Sequence, residues 1–300
     1  MERIRLGYAC INLTLGSKGN TSRTCRLSNA TPHHLEELTR GNLGCLLEVL
    51  RWNDAHKIKV FRISSGVIPL ASHPKAQWPW RQRLRREVSS VGNFARKRGL
   101  RLSMHPGQYT VLNSPREEVV AAAVAELSYH ADFLDAMGMS LEDKIVLHVG
   151  GVYDDREAST RKFRENFERL PANVQRRLVL ENDERSYGIY DVLDLCNSLG
   201  IPMILDYLHH RAYTNREPNS AEMEKIYETW SDRDGRPEIH YSTQKDGARK
   251  GAHADMINVK EFVHFINLLP RGSVDVMLEA KAKDKALLKL RHAMRGLYIS

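Results

Sequence analysis

Met203-Ile204-Leu205-Asp206-Tyr207-Leu208-His209 reads as a short apolar strand that ends in a carboxylate, with an imidazole three residues further on. The same ending recurs along the chain: Leu102-Ser103-Met104-His105, Ile145-Val146-Leu147-His148, Leu178-Val179-Leu180-Glu181, Glu238-Ile239-His240 and Val276-Met277-Leu278-Glu279. Placing an imidazole or carboxylate last in a buried strand costs desolvation free energy unless a cation or hydrogen bonds compensate. One such ending is ordinary. Six on successive strands imply that the strand ends converge.

Working outward from these runs, the chain alternates strand and helix eight times. Strands are expected near 3–9, 58–63, 101–105, 144–149, 177–182, 202–206, 237–242 and 274–279. Helices are expected near 32–54, 80–99, 115–138, 156–169, 188–199, 220–231, 255–268 and 282–296. Thr31-Pro32 and Ser114-Pro115 offer an N-cap followed by proline at the first helical position, and Gly99, Gly138 and Gly200 stand where helices should stop. Alternation of this kind predicts an α/β fold with a parallel sheet, and eight units favour closure into a TIM (β/α)8 barrel. A doubly wound open sheet is the alternative, but no G-x-G-x-x-G or Walker-type loop follows any strand. With no linker or low-complexity segment, a single domain over 1–300 is expected. The long polar connections 10–31, 64–79, 106–114, 149–155 and 207–219 all follow strands, which places them on the C-terminal face of a barrel, where the ligand residues already point.

Composition sets bounds. The 300 residues are 42% hydrophobic, carry a formal charge of +8 and have a pI near 9.3. That is enough apolar material for a large core, and no run approaches the roughly 20 residues that span a bilayer, so no membrane partner is expected. Met1-Glu2-Arg3-Ile4-Arg5 lacks the apolar core of a signal peptide. Cys10, Cys25, Cys45 and Cys196 form no C-x-x-C pair, which fits a reducing cytoplasm. Basic clusters at 81–86, 96–98, 176–177 and 245–250 offer either a field for a phosphate chain or solvated helix faces.

The candidate ligands are His73, His105, His148, Glu181, Asp206, His209, His240, His253 and Glu279. Asp206 and His209 form a D-x-x-H pair, and Glu238 and His240, two apart on one strand, share a face. Each has an ordinary reading by itself: a strand-end histidine is often a satisfied core residue, Glu181 could pair with an arginine, and Asp206 could cap a helix. Together they are too many for one ion and suit two or three divalent ions of the Zn or Mn type. Such ions can bridge a phosphate oxygen, generate a nucleophile near neutral pH and stabilise a leaving alkoxide. A metal-dependent sugar isomerase on the same fold is the rival, although it gives no reason for the basic belt. His33, His34, His56, His130, His264 and His292 fall on helices away from the mouth, and His210 is undecided.

Several motifs resemble the UV damage endonuclease family: Gly7-Tyr8-Ala9-Cys10-Ile11-Asn12-Leu13, Phe61-Arg62-Ile63-Ser64-Ser65, Ser72-His73-Pro74, Met104-His105-Pro106-Gly107-Gln108-Tyr109, Leu180-Glu181-Asn182-Asp183, Leu205-Asp206-Tyr207-Leu208-His209, Ile239-His240-Tyr241-Ser242, Ala252-His253-Ala254-Asp255 and Met277-Leu278-Glu279-Ala280-Lys281. Their ordered combination, from about residue 1 to 290, is specific where any single motif is weak. The resemblance implies a barrel related to endonuclease IV and up to three metal ions at the nine positions above, manganese being the expected ion and Zn2+ or Mg2+ the alternatives. It implies hydrolysis of UV-damaged double-stranded DNA immediately 5′ to cyclobutane dimers and 6–4 photoproducts, leaving a 3′ hydroxyl and a 5′ phosphate, with abasic-site cleavage as a side activity.

By the same comparison Gln108 and Tyr109 resemble the pair that probes the duplex, with Tyr8 and Asn12 near the damaged nucleotides. The catalytic group is expected to be Glu181, Glu238, His240 and Glu279. Arg23, Arg26, Lys245, Arg249 and Lys250 are expected phosphate contacts, and the enzyme is expected to act as a cytoplasmic monomer. One departure stands out. The family often carries lysine, sometimes modified with an added carboxylate, where this chain has Glu238; a native carboxylate can supply the same charge, so Glu238 is expected to act near the metals without any modified lysine. An abasic-site endonuclease and a lesion-binding module without catalysis are the nearest alternatives.

Overall fold

Eight short strands close on themselves in chain order: β1 (Ile4–Ala9), β2 (Val60–Ile63), β3 (Arg101–Met104), β4 (Ile145–His148), β5 (Leu178–Glu181), β6 (Met203–Asp206), β7 (Glu238–Tyr241) and β8 (Val274–Leu278). Every neighbouring pair is parallel, and β1 meets β8 with Tyr8 opposite Leu278. The structure is a computed structural model that describes residues 3–295. The TIM-barrel expectation therefore holds, and the open-sheet alternative falls with the β1–β8 pairing.

The helices are α1 (Pro32–Ala55), α2 (Trp80–Arg83), α3 (Arg85–Lys97), α4 (Glu117–Ala136), α5 (Arg156–Glu168), α6 (Ala172–Arg177), α7 (Ile189–Leu199), α8 (Tyr207–Thr214), α9 (Ser220–Glu228), α10 (Val259–Leu268) and α11 (Lys283–Arg295). Thr31 caps α1 by accepting from the His34 amide, as its sequence suggests. Gly99, Gly138 and Gly200 take φ of +60°, +72° and +65° at the helix ends, a left-handed geometry that a Cβ disfavours.

Three expectations need correction. The helix near 80–99 breaks at Leu84 into α2 and α3. Ser114 does not start α4; its hydroxyl accepts from the Arg116 amide and the helix begins at Glu117. Residues 207–219 are not an open loop, because α8 springs directly from the end of β6. Residue 296, the expected end of the last helix, lies outside the described residues, as do both ends of the expected 1–300 span.

Strand periodicity divides the side chains into two sets. Outward residues join one large apolar cluster with the helices, including Phe61, Leu102, Leu147, Leu180, Leu205, Ile239 and Leu278. Inward residues form an apolar waist in two patches: Ala9, Val60 and Met277, then Val146, Val179 and Ile204. Below the waist, Asp275 binds Arg5 at 2.6 Å and Arg101 at 2.8 Å, closing the N-terminal end with a buried ion network. Above it come the polar strand ends. The loop after β1 is fastened from the far end of the chain: buried Asp284 on α11 accepts from the Leu13 and Thr14 amides at 2.6 and 3.1 Å and from the Thr14 hydroxyl.

Candidate metal centre

Two registers bring neighbouring donors side by side at the mouth: His148 pairs with Glu181 across β4–β5, and Asp206 with His240 across β6–β7. Glu181 is the hub. Its Oε2 lies 3.0 Å from His105 Nε2 and 3.3 Å from His148 Nε2, while its Oε1 faces His240 Nδ1. Glu279, just past β8, lies 3.6 Å from both His240 Nδ1 and His253 Nδ1. His209 Nδ1 is 3.3 Å from Asp206 Oδ2. The donors resolve into three groups, each with atoms within 4.8 Å of one another: His105, His148 and Glu181; Asp206, His209 and His253; and Glu181, His240 and Glu279. Eight of the nine expected ligands thus come together.

Local structure aims them. Asp206 does cap a helix: its Oδ1 accepts from the His209 amide at 2.8 Å at the start of α8. That bond fixes the carboxylate and turns Oδ2 inward, where it is buried without a hydrogen-bond partner. Both readings of Asp206 are therefore true, one for each oxygen. His105 and His253 point Nδ1 at backbone carbonyls, Pro106 O at 2.9 Å and Glu279 O at 2.8 Å. A ring N–H held in this way leaves Nε2 as the lone-pair donor. His148 Nδ1 and His209 Nδ1 are also buried without partners. Orphaned buried oxygens and nitrogens facing one another carry a desolvation cost that a divalent cation would relieve, so the donor set fits metal ions.

The electrostatics point the same way. Burial raises the Glu181 carboxyl, but His240, His148 and His105 overturn that and hold it well below the usual range. Burial pushes Asp206 up to about 6, with Glu181 and Glu279 adding to the effect and His209 opposing it. Burial depresses the two central imidazoles, yet the surrounding carboxylates raise His209 to about 9 and His240 to about 10. Without metals, protons on histidine balance the carboxylates.

Other expected residues lie elsewhere. His73 joins none of the three donor groups; its Nδ1 accepts from the Lys75 amide at 3.1 Å, capping a single turn after β2. Tyr8 and Asn12 are wholly buried, which corrects their expected place beside the nucleotides. Since Gly7 and Ala9 face the barrel interior, Tyr8 must face the helices, where its hydroxyl donates to Asn53 at 2.7 Å and accepts from Asn12 at 2.8 Å. Glu238 is buried one layer beneath His240, its Oε1 3.5 Å from Nε2 and lacking a hydrogen bond, and it belongs to no donor group.

Gln108 and Tyr109 occupy the two corners of a turn closed by Thr110 N to Gly107 O at 2.9 Å, and Tyr109 is 83% exposed. Both line a cleft of about 1060 Å³ together with His148, His209, His253, Lys245 and Arg249. Lys250 donates to Asn215 at 2.6 Å, Arg23 donates to Ser17 O at 2.9 Å, and Arg26 is exposed in the first loop. Two of the four arginines at 81–86 are engaged on the helical exterior, Arg81 with Asp132 and Arg83 with Glu36. Arg177 is likewise bound to Asp135.

Several residues escape the sequence reading. Arg116, Arg185, Lys281 and Tyr153 line the same cleft. Arg62 is buried at its base, Nη1 2.5 Å from Glu279 and Nη2 2.9 Å from His240 Nε2. A charge inside the four-residue strand Val60–Ile63 was the available signal.

Comparison with known proteins is consistent with this geometry. The sequence model described as UV-endonuclease UvdE matches residues 4–298. A UV DNA damage endonuclease of Clostridium perfringens is 35% identical over 98% of this chain and 71% of its own length. The crystal structure of SacUVDE superposes with a TM-score of 0.91 at 41% identity, covering 98% of this chain and 99% of that one. Endonuclease IV from Thermus thermophilus, at 18% identity and a TM-score of 0.61 over 97% of this chain and 99% of that one, shares the fold.

Proposed function

The chain belongs to the UV-endonuclease UvdE family, a family of UV-damage repair nucleases, and from that premise we propose that it hydrolyses the DNA backbone immediately 5′ to cyclobutane dimers and 6–4 photoproducts, using two or three divalent ions, manganese foremost. The observation that carries this reading is the convergence of three donor groups, two of them sharing Glu181, at the base of the cleft that Gln108 and Tyr109 border.

In this reading His105, His148, Glu181, Asp206, His209, His240, His253 and Glu279 hold the ions, and His73 has no part. Bound divalent ions supply Lewis acidity toward phosphate oxygens and lower the pKa of water. Glu238, its Oε1 buried 3.5 Å from His240 Nε2, steadies the ring by charge from beneath, a positioning role that needs no modified lysine. Lys245, Arg249 and Lys281 hold the backbone phosphates by charge-assisted hydrogen bonds. Tyr109, on its exposed corner, fills the space of displaced bases, and Gln108 bonds their exposed edges. Damaged steps stack poorly, so opening the duplex there costs less than in intact DNA. Tyr8 and Asn12 support the rim from behind. The protein acts as a monomer in the cytoplasm, where duplex DNA is its substrate.

The test uses end-labelled duplexes carrying one thymine dimer, one abasic site or no lesion, with Mn2+ and with chelator. Incision directly 5′ to the dimer that chelator abolishes is expected. Preferential cutting at the abasic site would replace this reading with an endonuclease IV-like one, and binding without incision would reduce the protein to a lesion-binding module.

A further inference from the structure

The three donor groups differ in charge, and a buried arginine reverses the order that the ligands alone would set. Ligand charge count is a principal determinant of affinity for a hard divalent cation. On that count the group of Glu181, His240 and Glu279 should bind tightest, since it alone has two carboxylates. Arg62 opposes this. It enters from β2, opposite Ala9 in the β1 register, and its guanidinium forks onto Glu279 Oε1 at 2.5 Å and His240 Nε2 at 2.9 Å. Thus it touches two of the three residues of that group, while the other two groups have no guanidinium bonded to any of their unshared residues among the described residues.

Arginine does not lose its proton at any pH the fold survives. Among the described residues the Arg62 guanidinium hydrogen-bonds only Glu279 and His240: its Nε is buried without a hydrogen bond, and the barrel waist beneath it is apolar. Glu181 is shared with the group of His105 and His148, so its charge serves two ions. The field left for the third ion is the rest of Glu181 plus a Glu279 carboxylate already paired to a fixed cation. At a few ångströms in a protein interior, a unit positive charge opposes a divalent ion strongly.

We infer that Arg62 is a resident cation of the Glu181–His240–Glu279 group, and that the ion held there is the weakest and most exchangeable of the three. This rests on the multi-metal reading above, but not on incision. Arg62 is a positioning residue: it holds His240 with Nδ1 turned toward Glu181 and Glu279, and it sets the affinity of one site.

The experiment is a Mn2+ titration of the metal-free full-length protein without DNA, free ion being counted by electron paramagnetic resonance. Wild type should show two tight sites and one weaker by roughly tenfold or more. Arg62→Gln should tighten the weak site by a comparable factor, while Arg62→Lys, which keeps the charge, should leave it weak. Glu279→Gln should abolish the weak site and retain the two tight ones. A weak site unchanged or weakened further by Arg62→Gln overturns the inference, as does loss of a tight site in Glu279→Gln. Retention of two tight sites reports that each variant is folded; should Arg62→Gln not fold, Arg62→Met, uncharged and of similar length, is titrated in its place with the same expected and overturning results. A wild type that binds no Mn2+ refutes the metal centre together with this inference. Three bound ions without incision of the dimer duplex refute only the proposed activity.

Discussion

Asp206 allows the two halves of its chemistry to be separated by two substitutions. Its Oδ1 caps α8 through the His209 amide at 2.8 Å, and its Oδ2 is buried without a partner 3.3 Å from His209 Nδ1. Asp206→Asn keeps an oxygen for the cap and deletes the charge, whereas Asp206→Ala deletes both. The cap contributes about 1 kcal/mol. The charge acts in the opposite direction while metals are absent: burial, reinforced by Glu181 and Glu279, carries the carboxyl from 3.8 to about 6. An acid whose folded pKa lies above its unfolded value destabilises the fold once ionised, so stability falls as pH rises from 3.8 through about 6. At pH near 7 that penalty is on the order of 1–3 kcal/mol.

In chelator near neutral pH the relief of burial in Asp206→Asn is offset by loss of the pairing that raises His209, so Asp206→Asn should stay near wild type, and Asp206→Ala should unfold about 1 kcal/mol below Asp206→Asn. Adding Mn2+ should raise wild type above Asp206→Asn, because only wild type has the anionic donor. The assay is a urea midpoint at neutral pH with chelator and with Mn2+, run beside incision of a dimer duplex. If Asp206→Asn in chelator falls below wild type as far as Asp206→Ala does, the carboxylate is not a strained metal donor and the argument fails.

Tyr109→Ala should leave the urea midpoint unchanged, since the ring is 83% exposed, and should lower kcat/KM on the dimer duplex about ten- to a hundredfold, the worth of one aromatic–base stack; unchanged kcat/KM removes Tyr109 from lesion probing. His209 and His240 have folded pKa values of about 9 and 10 against 6.5 unfolded, so their contribution to the metal-free fold is complete below pH 6.5 and is lost as pH rises through 9 to 10. Chelated protein should lose stability over that window while apparent Mn2+ affinity rises, both read from urea midpoints with and without metal; a chelated protein that gains stability there contradicts the assignment. Glu238→Ala should cut incision about tenfold or more through loss of His240 orientation, with Glu238→Gln partly restoring it; full activity of Glu238→Ala at unchanged metal content removes the residue from the site. Neutralising Lys245 or Arg249 should each lower the log–log salt slope of duplex binding by about 0.9, and the bonded Lys250 and Arg23 should do less; equal slopes for all four would deny the cleft its role as the DNA track.

Much of this architecture was legible because it depends on period and punctuation. Alternating apolar runs and helix patterns point to the barrel, and polar residues at strand ends point to six of the ligands, because only inward positions at a strand end need such an expensive residue. Where the reading failed, a local rule had been left unused. Tyr8 alternates with Gly7 and Ala9, so only one of the two sets can face the interior; the barrel gives that face to Ala9, packed on Val60 and Met277, and turns the tyrosine toward α1. Helix α8 hides in a polar connection, and its signal is local: Asp206, three before His209, is a sound N-cap. His73 belongs to a long connection whose path depends on tertiary packing. Arg62 shows the limit most clearly: its charge was visible within β2, but its partners Glu279 and His240 lie on strands at the other end of the chain, and only closure of the barrel puts them in contact.

The bond between Asp284 and the backbone at Leu13 and Thr14 has a consequence for synthesis. The loop that leaves the first strand, with Arg23 and Arg26 on it, emerges from the ribosome well before its fastening residue, which lies 271 residues beyond Leu13. A growing or truncated chain ending before Asp284 therefore lacks a set rim, so such an unfinished polypeptide offers DNA no finished blade.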